Sequence, residues 1–260
     1  MSRRSLIGLA AGAALLSAGT TAVAQTATAP PPTLTYVGEW KIPRAQWAAF
    51  AADFEKNTRP VLEKLGAAGT LVGWGAYEMV VHTEDGYTHG VWWSAASYAG
   101  IEAARAELVK SAATSASLAA ATGHHDLFLR AVAGNGKPGS GGGGYLTVSR
   151  YLMKPGSAQD WRQLWDKHSK PIYDDLVAKG VLNAYSIDVE EMHTDNPGWR
   201  LVVTLTPSVE AEDQFGAALD AADAKRTPEE RKTISLQQAA LVEPGSHRDL
   251  FAKIIRQWSK

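Results

Sequence analysis

The 44 residues Phe54–Ser97, FEKNTRPVLEKLGAAGTLVGWGAYEMVVHTEDGYTHGVWWSAAS, can be laid without a gap on Trp165–Ser208, WDKHSKPIYDDLVAKGVLNAYSIDVEEMHTDNPGWRLVVTLTPS, at a constant offset of 111. Lys56, Pro60, Leu65, Ala67, Gly69, Leu71, His82, Thr83, Val91 and Ser97 meet Lys167, Pro171, Leu176, Ala178, Gly180, Leu182, His193, Thr194, Val202 and Ser208. Unrelated sequences of this composition would share roughly three residues over that length. Several substitutions keep the chemistry: Phe54 with Trp165, Arg59 with Lys170, Val61 with Ile172, Glu84 with Asp195. The chain therefore contains an internal duplication, which sets the architecture before any motif is consulted.

Each copy reads as the same order of elements. In the first unit, 35–133, a short strand near Thr35–Lys41 precedes a helical region in which Trp47, Phe50, Phe54, Val61 and Leu65 form one apolar stripe. Val72–His82 and Thr88–Ser94 read as a hairpin turned by Glu84-Asp85-Gly86, followed by an alanine-rich helix from Ile101 and a last strand at Leu127–Val132. The second unit, 145–260, repeats this. Trp161, Trp165, Ile172 and Leu176 stripe its first helix, and Thr227-Pro228-Glu229-Glu230 adds a fresh helix start. The glycine-dominated stretch 134–144 between the units reads as a flexible linker.

Residues 1–24 stand apart. Arg3 and Arg4 precede an apolar run from Leu6 to about Leu16, and Ala22-Val23-Ala24 offers small residues for a signal peptidase, so removal after Ala24 is expected. Ser2-Arg3-Arg4-Ser5-Leu6-Ile7 partly matches the twin-arginine pattern. The expected location is periplasmic or extracellular, with no stable membrane span after processing and with 25–34 as a proline-rich, disordered lead-in. The formal net charge of −1, or −3 once the two arginines are removed, offers no footprint for nucleic acid. Without cysteine there are neither disulfides nor thiolate chemistry, so stability rests on ordinary cores.

The βαββαβ order, twice in one chain, with a Trp/Phe-striped first helix and a hairpin carrying His-Thr followed by Glu or Asp, resembles the dimeric α/β-barrel superfamily, which is ferredoxin-like in each half. Antibiotic-biosynthesis-type monooxygenases, EthD-like proteins, haem-degrading oxygenases and haem-dependent chlorite dismutases have this fold. The resemblance implies an α+β protein in which two tandem units close an intramolecular pseudo-dimeric barrel, helices outside, with ligands held between sheet and helices. It implies no particular catalytic residues.

No phosphate-cradling loop, HExxH, EF-hand or G-x-S-x-G motif occurs. The candidate site therefore rests on rings and imidazoles. Strand alternation puts Trp74, Glu78 and His82 on one face of their strand, with Trp92 and Trp93 pointing oppositely on the next. Glu78 stands where the second copy has Val189, and a buried carboxylate there would act as a base, with His82 as its alternative. Trp74, Trp92, Trp93 and His89 are the expected ligand-binding residues of the first unit, and Tyr185, His168 and His193 those of the second. Hairpin histidines that merely bond their own turns are the competing structural explanation for His82 and His193. His168 lies on the Trp161/Trp165 stripe, where an imidazole would find a partner or serve as a haem ligand. No metal site is expected, since the His-x-Asp pairs His124/Asp126 and His247/Asp249 have no third ligand in view. The functional expectation is a monomer or homodimer that binds a small apolar or aromatic molecule, with cofactor-independent oxygenase- or isomerase-type chemistry; haem binding through His168 and a non-catalytic envelope role are the alternatives.

Overall fold

The computed structural model describes residues 33–82, 86–112, 115–193 and 197–260. The expected signal segment 1–24, most of the expected lead-in 25–34, and residues 83–85, 113–114 and 194–196 lie outside the described residues. In chain order the strands are β1 Leu34–Trp40, β2 Gly73–Val81, β3 His89–Ala95, β4 His124–Gly136, β5 Gly139–Gly141, β6 Tyr145–Leu152, β7 Ala184–Met192, β8 Trp199–Thr206 and β9 Arg248–Ser259. The helices are α1 Trp47–Asp53, α2 Arg59–Ala67, α3 Tyr98–Ala112, α4 Ala116–Ala119, α5 Ala158–His168, α6 Lys170–Lys179, α7 Val209–Ala224 and α8 Pro228–Leu241.

Hydrogen bonding runs β2-β3-β1-β4-β7-β8-β6-β9, and β9 returns to β2, so eight antiparallel strands close a barrel within one chain. The halves meet at two seams. β4 pairs with β7 from Phe128↔Met192 to Gly136↔Ala184, and β2 pairs with β9 from Gly73↔Ser259 to Val81↔Phe251. The glycine-rich stretch 134–144, expected to be a flexible linker, instead carries the end of β4 and all of β5, which extends the edge of β9. Pairing across the seam supplies backbone partners that a reading of composition does not see.

Side-chain alternation sorts the barrel into three cores. Inside lie Tyr77, Met79, Leu127, Leu129, Leu146, Val148, Leu201, Ala252 and Ile254, so the barrel is filled rather than hollow. Glycine makes room for the large rings: a Cβ on Gly75 would come within 2.1 Å of the Trp92 indole, and one on Gly90 within 2.2 Å of the Tyr77 ring. Outside, the first half packs Phe50, Phe54 and Leu62 against Trp74, Val91 and Trp93. The second half packs Trp161, Trp165, Tyr173 and Leu176 against Tyr185, Ile187 and Val202.

Both first helices break at matching positions. A π-helical turn, Phe54–Thr58, joins α1 to α2, and Ser169 separates α5 from α6; Pro60 and Pro171 sit in the first turn of the segments that follow. The expected extra helix of the second half is present as α8. The Thr227 hydroxyl accepts from the Glu230 amide at 3.2 Å, and the Glu230 carboxylate accepts from the Thr227 amide at 2.7 Å, a reciprocal cap.

Candidate functional site

All strands being antiparallel, the C-terminal ends of β1, β2, β6 and β7 and the N-terminal ends of β3, β4, β8 and β9 share one end of the barrel. At that end, on the helix side of the first half, Glu78 of β2 is paired in register with His89 of β3, and His89 with Trp40 of β1. His89 is fully buried. Its Nε2 lies 3.7 Å from Glu78 Oε2 and makes no hydrogen bond. Phe50 packs on the imidazole at 4.5 Å between ring centres, and Trp47 presents its edge to both His89, at 5.3 Å, and His82, at 5.5 Å. Trp47 is held by its indole N–H, which donates to the Ile42 carbonyl at 3.0 Å, and by the Arg44 guanidinium 4.6 Å above its ring.

Thr88 is the hydrogen-bond partner of His89 Nδ1. Its hydroxyl oxygen accepts the Ile42 amide at 2.9 Å and lies 3.0 Å from His89 Nδ1, closer than the carbonyls of Trp40 and Ile42 at 3.3 and 3.4 Å. With the Thr88 hydroxyl donating to Nδ1, the ring proton sits on Nε2, facing Glu78; with the hydroxyl donating to a carbonyl, Nδ1–H donates to Thr88 instead. Burial, with a smaller push from His82, lowers the His89 pKa to about 4, so the imidazole is neutral at neutral pH. Glu78, whose side chain is 39 % exposed, and His82, also exposed, form the mouth of this arrangement.

Glu78, His82 and His89 are thus brought together. Glu78 is not the buried carboxylate that its odd position suggested; the buried member is His89. Trp74 and Trp93 lie on the same outward face but deeper, with Trp93 stacked on Tyr36 at 4.6 Å and Trp74 tilted against Phe54 at 6.4 Å. Trp74 is four residues from Glu78 along one strand, about 13 Å. A small molecule touching Glu78 is therefore walled by Trp47 and Phe50, which the sequence assigned only to the helix stripe. Trp74 instead lines an open cleft of about 470 Å³ with Arg59 and Glu63 of α2 and Arg256 and Trp258 of β9. Trp92 points into the barrel, 6.0 Å from Tyr77 between ring centres.

In the second half, Tyr185 is buried among Trp165 and Tyr173, and its hydroxyl donates to Asp174 at 2.7 Å. His193 is exposed just beyond β7. His168 does not continue the Trp161/Trp165 stripe inward. It ends α5, half-buried, and the charges that act on it are Lys167, Arg226 and Glu230, while its carbonyl accepts from Arg226 at 3.1 Å. Tyr173, Tyr185 and Phe215 occupy the layer around Trp165.

Three buried carboxylates inside the barrel were not anticipated: Glu39, Asp188 and Glu190. Glu39 accepts from the Tyr77 hydroxyl at 2.7 Å. Asp188 accepts from Ser186 at 3.0 Å, and burial raises its pKa to about 6 against that hydrogen bond. Ser186, Asp188 and Glu190 recur at period two, the signal that could have placed them on one face.

These features define a closed, duplicated α+β barrel of the dimeric α/β-barrel type, here completed by one polypeptide. No family model matches the sequence, and no curated protein does so either. Among solved structures, the chain is similar to a candidate monooxygenase of Fusobacterium nucleatum, with a TM-score of 0.65 at 9% identity, covering 88% of this chain and 95% of that one. A candidate monooxygenase of Lactobacillus acidophilus gives 0.62 at 12%, covering 88% and 96%. A haem-binding protein of Thermus thermophilus gives 0.52 at 13%, covering 87% and 94%. At such identities the likeness concerns the fold alone. Among the described residues no helix is long and apolar enough to cross a membrane.

Proposed function

We propose that the chain is an exported protein that binds a small, largely aromatic molecule at the sheet–helix layer of its first half and removes a proton from it, the opening step of an isomerase- or oxygenase-type reaction. The observation that carries this reading is the convergence of Glu78, His82 and the buried, neutral His89 beneath Trp47 and Phe50. In this reading Trp47 and Phe50 hold the apolar body of the substrate. The Glu78 carboxylate, or His82 in its place, accepts a proton from an activated carbon or phenol at the mouth. The electron pair left on the substrate moves to an oxygen that takes a hydrogen bond from His89 Nε2–H, a donor with no other partner. Keeping that donor neutral suits it to stabilise an enolate or phenolate without giving up its proton outright. The named activity of the similar bacterial proteins favours the oxygenase branch.

The test is to purify the chain from the envelope of an expressing cell, determine its N-terminus, identify co-purified small molecules by mass spectrometry, and compare Glu78→Gln, His82→Ala and His89→Gln. A processed N-terminus at Gln25 supports export. Loss of turnover with ligand retained in Glu78→Gln or His82→Ala supports the proton-transfer role. Retention and turnover equal to wild type in all three variants would remove the site.

A further inference from the structure

The geometry points to a second ligand site in the other half, at the duplicated equivalent of His89, built to receive an organic carboxylate through Arg200 with an aromatic wall from Trp161. This site is independent of the one proposed above. The offset of 111 places Arg200 on His89, Trp161 on Phe50 and Val189 on Glu78. The structure keeps the spatial relation: Arg200 points from β8 into the helix layer, its guanidinium 5.5 Å from the centre of the Trp161 ring, as His89 meets Phe50. Val189 is the register partner of Arg200 on β7, as Glu78 is of His89. Duplication has preserved this juxtaposition of strand and helix side chains and exchanged its chemistry.

Arg200 is 7% exposed, and among the described residues no carboxylate pairs with it. Its Nε makes no hydrogen bond. The charges that act on it are two further cations, Arg162 and Arg130. Each of those already has a partner: Arg162 donates to Asp166 at 2.9 Å and to the Val132 carbonyl at 2.7 Å, and Arg130 donates to Glu191 at 2.7 Å. Of the three, Arg200 alone has no carboxylate or carbonyl partner among the described residues, and its strand neighbour, an acid in the first copy, is a valine here. A guanidinium taken out of water without an acceptor is costly, and one aromatic face at this distance returns only part of the loss. Two more buried donors in the same layer, the Trp165 indole N–H and the Thr204 hydroxyl, are likewise without hydrogen-bond partners. An anion that brings its own acceptors satisfies such a set, and a planar carboxylate matches the fork of an arginine. The stacked Trp161 and Trp165 rings, 5.6 Å apart, select a ligand with an apolar or aromatic body over a bare inorganic ion.

Benzoate is the probe, titrated calorimetrically and by tryptophan fluorescence into the wild-type chain and its variants, with benzamide as the neutral isostere and sulfate as the bare anion. Expected are one saturable benzoate site, no benzamide binding, and affinity reduced by at least about tenfold in Arg200→Met. Val189→Glu, which restores an internal acid beside Arg200, is expected to abolish benzoate binding while the chain stays folded. Loss of benzoate binding in Glu78→Gln would place the benzoate at the first site and overturn the inference. The inference is overturned if wild type shows no saturable benzoate binding, if benzamide or sulfate binds equally well, or if folded Arg200→Met or Val189→Glu matches wild type. Should Arg200→Met fail to fold, Val189→Glu and the benzamide comparison still decide.

Discussion

Replacing Asp188 by asparagine should stabilise the barrel, and by an amount that depends on pH in a prescribed way. Asp188 lies inside the barrel, 6% exposed, with a pKa raised from 3.8 to about 6 by burial. Below pH 3.8 the acid is neutral in both folded and unfolded chains and its charge costs nothing. As pH rises through 6, the unfolded chain ionises readily while the folded one must bury the anion, so stability present at low pH is lost. The shift corresponds to about 3 kcal/mol, fully felt above pH 6. The amide side chain of the variant keeps an oxygen to accept from Ser186 and carries no charge, so the Asp188→Asn chain should exceed wild type by about 3 kcal/mol at pH 8 and by almost nothing at pH 3.5. His89 acts oppositely. Its pKa is lowered from 6.5 to about 4, so its contribution is present above pH 6.5 and is lost as pH falls through 4, again by about 3 kcal/mol. In wild type the two slopes largely cancel between pH 4 and 6, and the variant unmasks the histidine. Urea unfolding of both chains across pH 3.5–8 at fixed ionic strength measures the difference directly, since His89 is common to both. A difference that does not change with pH, or a wild type more stable than Asp188→Asn at pH 8, would refute the reasoning.

Two further outcomes follow from the packing. Gly75→Ala places a methyl 2.1 Å from the Trp92 ring and should cost about 1–3 kcal/mol in chemical denaturation; adding Trp92→Leu should make the same alanine far less harmful, and additive costs would disprove the contact. Haem titrated into the chain should give no Soret band characteristic of axial histidine ligation, and His168→Ala should leave the spectrum unchanged, because that imidazole stands among Lys167, Arg226 and Glu230 rather than over an open layer; a Soret band lost on His168→Ala would reverse that assignment.

The fold was legible because two periodicities and a repeat reinforce one another. Period-two alternation in 72–82 and 88–94 and helical spacing from Trp47 to Leu65 named the elements, and the 111-residue offset said there were two sets. Alternation also placed Trp74 and Glu78 together and separated Trp92 from Trp93. What escaped depends on partners distant in sequence. The glycines of 134–136 read as linker until β7 is laid beside them. The single stripe read from Trp161 to Leu176 is two helices, α5 ending at His168 and α6 starting at Lys170, because Pro171 begins a new first turn after Ser169. Asp188 and Glu190 were passed over because, alternating with Tyr185, Ile187 and Val189, they read as the solvent face of a strand buried on one side, and closure of the barrel turns that face inward.

The divergence between the copies carries the functional argument further than either copy does alone. Inside the barrel, Gly75, Tyr77 and Met79 of β2 occupy the positions of Ser186, Asp188 and Glu190 of β7, so at these positions the first copy gives the core a ring and a sulfur where the second gives it two acids, which join Glu39 of β1. Outside, the second half has exchanged Glu78 and His89 for Val189 and Arg200, trading a neutral imidazole beside an acid for a cation without one. If the sockets were only structural, substitution would be expected to restore apolar or internally paired side chains, since an unpaired buried guanidinium weakens the fold that holds it. A helix ring is instead kept over the polar group in both halves, Phe50 on His89 and Trp161 near Arg200. Such a geometry, held constant while charge is inverted, is what two ligand sites of different specificity require of one duplicated frame.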